Sequence, residues 1–288
     1  MRPDTFAGMH PLVNATYFAA VIGFGMVLMH PAFLAASLVC AVVYAFRLYG
    51  RAVFKGMALV APMALLTAAL NPLFNHRGAT ILAFMPNGNP VTLESVAFGA
   101  GAATMLAAVI TWFFCLNAVM TTDKWLFLFG KAWPVLSLLL SMALRFVPRF
   151  KAQAVAVSQA QRSITQEGGY RMLRKVRHGV RVLSILVTWS LENAIETADS
   201  MKHRGYGLPG RTTFSLFRFT RRDAVVLAFI MVTAALVLLA AALEWFRFRY
   251  FPTLLGFWTP PGAWVALGAY VTLCALPIML VCRKGSVG

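Results

Sequence analysis

Six long apolar runs constrain the fold of this chain more than any other feature of its sequence. They extend over residues 15–29, 32–46, 56–73, 95–120, 224–243 and 263–282. An α-helix needs roughly 20 apolar residues to cross the hydrocarbon core of a bilayer. The pattern therefore predicts about six membrane-embedded helices. The first two runs are short and tightly joined at His30-Pro31, so a re-entrant pair is the alternative for them.

The composition agrees with lipid as the solvent for most of the chain. Of its 288 residues, 60% are hydrophobic and only 12% are charged, against roughly 25% charged residues in globular proteins. So few charges cannot cover a surface that faces water. No Asp, Glu, Lys or Arg lies deep in any apolar run. This argues against a self-sufficient ion-coupled transporter, because ion pathways through a membrane need such groups.

The positions of the basic residues predict the orientation in the membrane. Most of the 26 basic residues lie between residues 123 and 222, and smaller groups follow the second and the last apolar run. Cytoplasmic loops carry the excess of Lys and Arg. We therefore expect both termini and the region between the fourth and fifth runs to be cytoplasmic, with Arg247 and Arg249 as a small violation. This distribution explains the basic charge without a nucleic-acid partner.

Neither a metal site nor an enzyme active site follows from the sequence. The four cysteines show no C-x-x-C spacing, and the five histidines contain no i, i+4 pair. A membrane-embedded enzyme would need a nucleophile or a metal constellation near the interface, and only scattered His and Cys are present. We therefore predict a non-enzymatic chain that binds no metal.

The region between the fourth and fifth runs predicts two amphipathic helices. The first covers about residues 149–165, and Pro148 before it should kink or break a helix. Residues 166–169 predict a turn. The second helix covers about 172–204, spans roughly 50 Å and stops at Gly205. It carries an apolar stripe at the helical period, formed by Leu183, Leu186, Val187, Leu191, Ala194, Ala198 and Met201. The stripe packs within this chain and on the membrane, or it docks other subunits.

Both helices end in an arginine that is followed by a small residue. The first closes on Gln161-Arg162-Ser163 and the second on His203-Arg204-Gly205. Such an arginine can cap the negative end of the helix dipole, or its planar guanidinium can bind a carboxylate of a partner. The following GYGLPGRT is close to a phosphate-binding G-x-x-x-x-G-K-T loop. It follows a helix and has Arg in place of Lys, so nucleotide binding is not expected.

Five segments, taken in order, resemble the transmembrane T component of energy-coupling factor (ECF) transporters, the family that includes the cobalt-transport membrane subunit. They are NPLFNHRGATIL (71–82), NGNPVTLES (87–95), LSMALRFVPRF (140–150), AQRS (160–163), and SMKHRGYG with GRTTF (200–214). The first 60 residues and the last two apolar runs carry little of this signature.

The resemblance implies an all-α polytopic membrane protein with long cytoplasmic coupling helices. Membrane helices would occupy 1–123 and 213–288, and the coupling helices 124–212. The chain would sit in a bacterial or archaeal plasma membrane, between two ABC-type ATPases and a substrate-binding membrane protein, the S component. The complex would import a vitamin or a transition-metal ion. ATP and Mg²⁺ would be bound by the ATPases, and this chain would bind no cofactor.

The resemblance also assigns roles to residues of the two predicted helices. The family's two X-Arg-X motifs dock in grooves on the ATPases, and here they correspond to the two arginine-centred triplets at 161–163 and 203–205. The family usually has Ala before each arginine, so Gln161 and His203 depart from it. The residues that would face the S component are Leu183, Leu186, Val187, Leu191, Ala194 and Ala198. We expect both guanidinium tips to be exposed, unpaired with acids of this chain, and not far apart.

One alternative is a permease subunit of an ordinary ABC importer, which lines the substrate path itself. Such a subunit would need polar groups inside its spans and a single cytoplasmic coupling loop. In this sequence the apolar runs contain no charged residue deep inside them, and two separate helices end in arginine.

Overall fold

The computed structural model describes residues 5–84, 89–132, 134–164, 171–208, 217–245, 248–254, 256 and 261–285. The chain divides into two compact units. We call residues 1–125 together with 217–288 the membrane unit, and residues 126–216 the two-helix unit. The first and last parts of the sequence thus belong to one unit. The predicted division into functional regions at 123/124 and 212/213 stays a prediction.

Most elements of the membrane unit are helices, and each predicted apolar run lies in one of them or extends at most two residues beyond its end. They are α1 (Pro11–Val27), α2 (Pro31–Tyr49), α3 (Val53–Phe74), α4 (Leu93–Val119), α8 (Arg221–Ala242) and α9 (Pro261–Gly285), with a 3-10 turn at Gly50–Ala52. Local sequence explains where several of them begin. His10 and His30 precede a proline, and the Nδ1 atom of each accepts a hydrogen bond from the backbone N–H two residues later, at 3.2 Å. Proline at the first helical position suits a helix start.

Among the residues that the structure describes, four segments are long and apolar enough to cross a membrane. They are Pro31–Phe74, Leu93–Val119, Arg221–Ala242 and Gly262–Leu280. The first of these comprises α2, the turn and α3, while α1 is a shorter apolar helix. The prediction of an all-α polytopic membrane protein is confirmed by these segments.

The core of the membrane unit forms where α4 packs on α1, α2 and α3, and where α9 packs on α2 and α8. Its centre is aromatic: the Tyr17 and Trp112 ring centroids lie 6.0 Å apart, and both side chains are almost completely buried. Buried polar atoms need partners. Trp112 Nε1 donates to Ser37 Oγ at 3.0 Å, and Tyr17 Oη donates to the Cys274 carbonyl at 3.0 Å. The polar atoms of both aromatic side chains at the centre of this core are therefore hydrogen-bonded.

A short antiparallel hairpin, which the sequence did not predict, lies between α3 and α4. It consists of β1 (Ile81–Phe84) and β2 (Pro90–Thr92). The buried carboxylate of Glu94, in the first turn of α4, accepts from the Thr80 N–H at 3.2 and 3.3 Å. Thr92 caps α4 and donates to the Arg77 carbonyl at 2.9 Å. These bonds attach the hairpin to the start of α4.

The two-helix unit is built mainly from α6 (Pro134–Ile164) and α7 (Arg171–His203), preceded by α5 (Thr122–Ala132). The α7 prediction of 172–204 is within one residue at each end. The predicted start of the first helix at residue 149 is wrong, because α6 begins at Pro134 and continues through Pro148. Directly after the proline, Arg149 and Phe150 contact Trp189 of α7. These contacts help to stabilise a helix that proline alone would interrupt. The predicted turn at 166–169 lies outside the described residues.

Candidate docking site of the two-helix unit

Three contacts show that α6 and α7 run antiparallel. Ser158 Oγ lies 2.9 Å from His178 Nε2. The Phe150 and Trp189 ring centroids are 5.5 Å apart at nearly a right angle. Residues 142–149 of α6 line a cleft together with residues 193–204 of α7. As the residue number falls along α6, that of its neighbour on α7 rises, so each helix ends beside the early part of the other.

Arg162 lies in the last turn of α6 and is exposed. Gln161 beside it is half-buried, and Ser163 is exposed, with its hydroxyl donating to the Gln159 carbonyl at 3.2 Å. The Ser163 side chain thus returns to its own helix and leaves the neighbouring guanidinium unobstructed. The predicted helix end at this motif is correct to one or two residues.

Arg204 follows the last turn of α7 and is also exposed, like His203 before it. Gly205 ends the helix with a φ of 77°, a left-handed conformation that glycine adopts without strain. The Gly205 N–H donates to the Lys202 carbonyl and the Tyr206 N–H to the Met201 carbonyl, both at 3.0 Å. This pair of bonds is the Schellman arrangement. It explains the small residue after the arginine and the start of the glycine-rich stretch as a helix cap.

The expectation that the two arginine tips lie near each other is wrong. Arg162 is four residues beyond Ser158, at the end of α6 that contacts His178. Arg204 is 26 residues beyond His178 on α7, which corresponds to roughly 40 Å at 1.5 Å per residue. The antiparallel packing therefore places the two motifs at opposite ends of the helix pair.

Both tips are available to a partner. In the part of the chain that the structure describes, neither the Arg162 nor the Arg204 guanidinium has a hydrogen-bond or ion-pair partner. The acids of α7 are exposed as well. Both arginine side chains are exposed, as the sequence analysis expected.

Arg204 also lines an open cleft of about 820 Å³ between α6 and α7. Arg145 and Arg149 contribute two more guanidinium groups, and Glu196 is the acid among the lining residues. The Arg149 guanidinium lies over the Trp189 ring, 5.5 Å from its centroid, a distance typical of a cation–π contact. The cleft therefore carries net positive charge. The sequence analysis did not predict that Arg145 and Arg149 belong to the site. The antiparallel packing brings both into the cleft that Arg204 lines, although they lie more than 50 positions from Arg204 in the sequence.

Packing of α6 on α7 covers part of the apolar stripe of α7 and leaves the rest exposed. Leu183, Val187 and Leu191 expose 61%, 50% and 62% of their surface. Ala194 and Ala198 are exposed as well, whereas Leu186 is half-buried. Met201, at the far end of the predicted stripe, lines the cleft with α6. Five of the six residues predicted to face a membrane partner thus form an uncovered apolar surface.

No group of three His, Cys, Asp or Glu side chains that could hold a metal ion occurs among the described residues. The described side chains of the two-helix unit offer positive charge, hydrogen-bond donors and an uncovered apolar surface. Such an arrangement can bind partners that present acidic and apolar surfaces.

These features define a multi-pass helical membrane protein with a separate unit of two long antiparallel helices, each ending in an exposed arginine. No protein-family model matches the chain. The chain is, however, similar to curated proteins named energy-coupling factor transporter transmembrane protein EcfT. The resemblance to this family that its motifs predicted is confirmed by these relatives.

Three of these relatives show the extent of the similarity. The protein of Lactobacillus helveticus is 32% identical over 108 residues, which are 36% of this chain and 38% of the relative. That of Lacticaseibacillus paracasei is 35% identical over 109 residues, or 37% and 41%. That of Lactococcus lactis subsp. cremoris is 29% identical over 106 residues, or 36% and 40%. The match thus covers about two fifths of the length of these curated relatives.

Proposed function

We propose that this chain is the transmembrane component of an ECF-type importer, which transmits the work of two cytoplasmic ABC-type ATPases to a membrane-embedded S component. The observation that carries the proposal is a pair of exposed arginines at opposite ends of the α6–α7 pair, neither of which has a partner among the described residues. The similarity to EcfT proteins supports it. The substrate held by the S component would be a vitamin or a transition-metal ion.

Two separated arginine tips suit two partner subunits. Each planar guanidinium can make paired hydrogen bonds to a carboxylate. Tips on the order of 40 Å apart along a helix pair can reach two ATPases at once. In this proposal Gln161, Arg162 and Ser163 dock one ATPase, and His203, Arg204 and Gly205 dock the other. The basic cleft beside Arg204 adds charge complementarity to an acidic surface of that partner.

The contacts between α6 and α7 would pass a displacement of the helix ends to the apolar stripe. Trp189 lies between the ends and is held by Phe150 and Arg149. Leu183, Val187 and Leu191 lie on the same helix within a few residues of it. When ATP binding moves the two docked ends, this stretch would move with them against the S component. The chain itself would be no enzyme, and ATP and Mg²⁺ would bind to the ATPases.

We also propose an orientation. Arg47, Arg51 and Lys55, at the turn between α2 and α3, are all exposed. Cytoplasmic segments of membrane proteins are enriched in Lys and Arg. These three residues, the basic two-helix unit and the basic C-terminus are all cytoplasmic if both chain ends are cytoplasmic. The hairpin then lies outside. The membrane would be the plasma membrane of a bacterium or an archaeon, and lipid would contact the exposed apolar faces of the spans.

Isolation of the complex tests this function. The tagged chain is purified from its native membrane in a mild detergent, and the proteins that accompany it are identified by mass spectrometry. We expect two ABC-type ATPase subunits and a small polytopic membrane protein. Isolation of the chain without an ATPase, or turnover of a substrate by the chain alone, would contradict the proposal.

A further inference from the structure

We propose that the segment from Phe6 to Asn14 is a clamp that fastens both connections between the membrane unit and the two-helix unit, with Lys124 and Asp223 as its positioning residues. This inference rests on the proposed function, because it concerns how force passes from the ATPases into the membrane. We call residues 6–14 the N-terminal clamp. The chain leaves the membrane unit after Trp125 and returns to it at Phe217.

Lys124 fastens the outgoing connection. Its side chain is 5% exposed, and its ammonium donates to the carbonyls of Ala7 and of Val119, the last residue of α4. The Asn14 amide, oriented so that both its ends are satisfied, accepts from Lys124 Nζ at 2.9 Å and donates to the Phe6 carbonyl at 3.1 Å. All three ammonium protons therefore have acceptors, as a buried lysine requires. Two of these acceptors belong to the clamp.

Asp223 fastens the returning connection to the same segment. Its side chain is 4% exposed, and its Oδ1 atom accepts from the His10 backbone N–H at 3.3 Å. Its Oδ2 atom accepts from the Thr220 N–H at 2.9 Å and from the Thr220 hydroxyl at 2.7 Å, closing a capping box at the start of α8. The His10 ring also meets the Phe219 ring edge-on, with centroids 5.2 Å apart.

The clamp itself is anchored in the core of the membrane unit. Phe6 is completely buried, and its ring lies 5.0 Å from that of Tyr17 and 6.5 Å from that of Tyr44. A nine-residue segment thus joins the core, the start of α5 and the start of α8. The clamp is therefore an attachment that the outgoing and the returning connection share.

The consequence is mechanical. In the proposed function the ATPases act on Arg162 and Arg204, and the polypeptide joins these residues to the membrane unit through the two connections. If the clamp holds both connections to the core of the membrane unit, movement of the two-helix unit displaces the S component. If the clamp is weakened, the connections themselves move and the S component is displaced less. ATP hydrolysis then continues with less substrate imported per ATP.

The test uses the complete complex reconstituted in proteoliposomes, with ATP hydrolysis and substrate uptake measured on the same preparation. Lys124→Met removes the ammonium and keeps the chain length, and Asp223→Asn removes the carboxylate charge. Phe219→Ala removes a half-exposed ring from the returning connection. Lys151→Met, at an exposed lysine of α6, is the matched control. We expect the control to keep the wild-type number of ATP molecules per substrate.

For each clamp variant we expect ATP hydrolysis to persist while the number of ATP molecules per imported substrate rises severalfold above that of the control. A purely structural role would lower both activities together. If Lys124→Met fails to assemble, Asp223→Asn and Phe219→Ala decide the question. Assembled variants with the wild-type ratio would overturn the clamp and leave the proposed function intact. A wild-type chain that assembles with no ATPase would overturn both.

Discussion

Ser158 Oγ lies 2.9 Å from His178 Nε2, and this contact sets the register in which α6 and α7 pack. Because the helices are antiparallel, the register places Arg162 at one end of the pair and Arg204 at the other. A scaffold that holds two docking groups apart can engage two partners simultaneously. The separation of the motifs is therefore the structural feature on which the proposed function depends.

Photo-crosslinking tests whether the two ends reach different ATPase molecules. A photoreactive residue at position 163 or at position 203 should give a product that contains this chain and one ATPase. A chain with both substitutions should give an additional product that contains two ATPases, because in the proposed function the two ends, roughly 40 Å apart, dock different ATPase molecules. Position 188, exposed halfway along α7, is the control and should give no ATPase product. Separate docking would be contradicted if the chain with both substitutions gave only products that contain one ATPase.

The apolar stripe of α7 should bind the S component independently of the ATPases. Leu183→Gln with Leu191→Gln places polar groups on a surface that is already exposed. The change in the free energy of unfolding should stay within about 0.5 kcal/mol, as for other surface substitutions. We expect the S component to be lost from the purified complex while both ATPases remain. Val155→Gln, which changes an exposed valine of α6, is the control. If this variant lost the S component and the α7 variant kept it, the S component would not bind to the stripe of α7.

How far the sequence predicts this molecule depends on how local the determining contacts are. The end of α7 follows from Gly205 and the apolar runs from composition alone, so both were predictable. The continuity of α6 through Pro148 depends on Trp189, about 40 positions away, and no local rule supplies it. The hairpin depends on the buried carboxylate of Glu94, and the separation of Arg162 from Arg204 depends on the packing of two helices. The burial of Lys124 depends on Ala7 and Asn14, more than 100 positions away, so a local sequence pattern does not predict it.

The hairpin before α4 should be sensitive to a methyl group at Gly78. Its φ of 152° is one that other residues rarely adopt, and an added Cβ would lie 2.5 Å from Glu94 Oε2 and 2.7 Å from Thr92 Oγ1. Gly78→Ala should therefore displace the Glu94 carboxylate from the Thr80 N–H and destabilise the hairpin locally. Faster hydrogen exchange over residues 79–84 would show it. Gly23→Ala in α1, where an added Cβ meets nothing within 4 Å, should leave exchange in the hairpin unchanged, and equal exchange in both variants would contradict this role of Glu94.

Acid should destabilise the chain through His30, which lies between α1 and α2. Burial lowers the pKa of His30 from its ordinary value of 6.5. The unfolded chain therefore takes up the proton first as the pH falls, and stability that is present above about pH 6.5 is lost below it. His30→Asn keeps a side-chain acceptor for the Ala32 N–H and removes the titration. Thermal unfolding of the purified chain should show a smaller loss of stability between pH ~7.5 and ~5.5 in the variant; an equal loss in both proteins would exclude His30 as its source.

The most direct test of the account is retention of the ATPases when both arginine tips are reversed in charge. Arg162→Glu combined with Arg204→Glu is compared with Lys151→Glu combined with Lys202→Glu, which changes the net charge equally at two other exposed positions of the same helices. The account predicts that the arginine variant inserts into the membrane but is purified without either ATPase, while the lysine variant keeps both. Wild-type amounts of both ATPases on the arginine variant would contradict it.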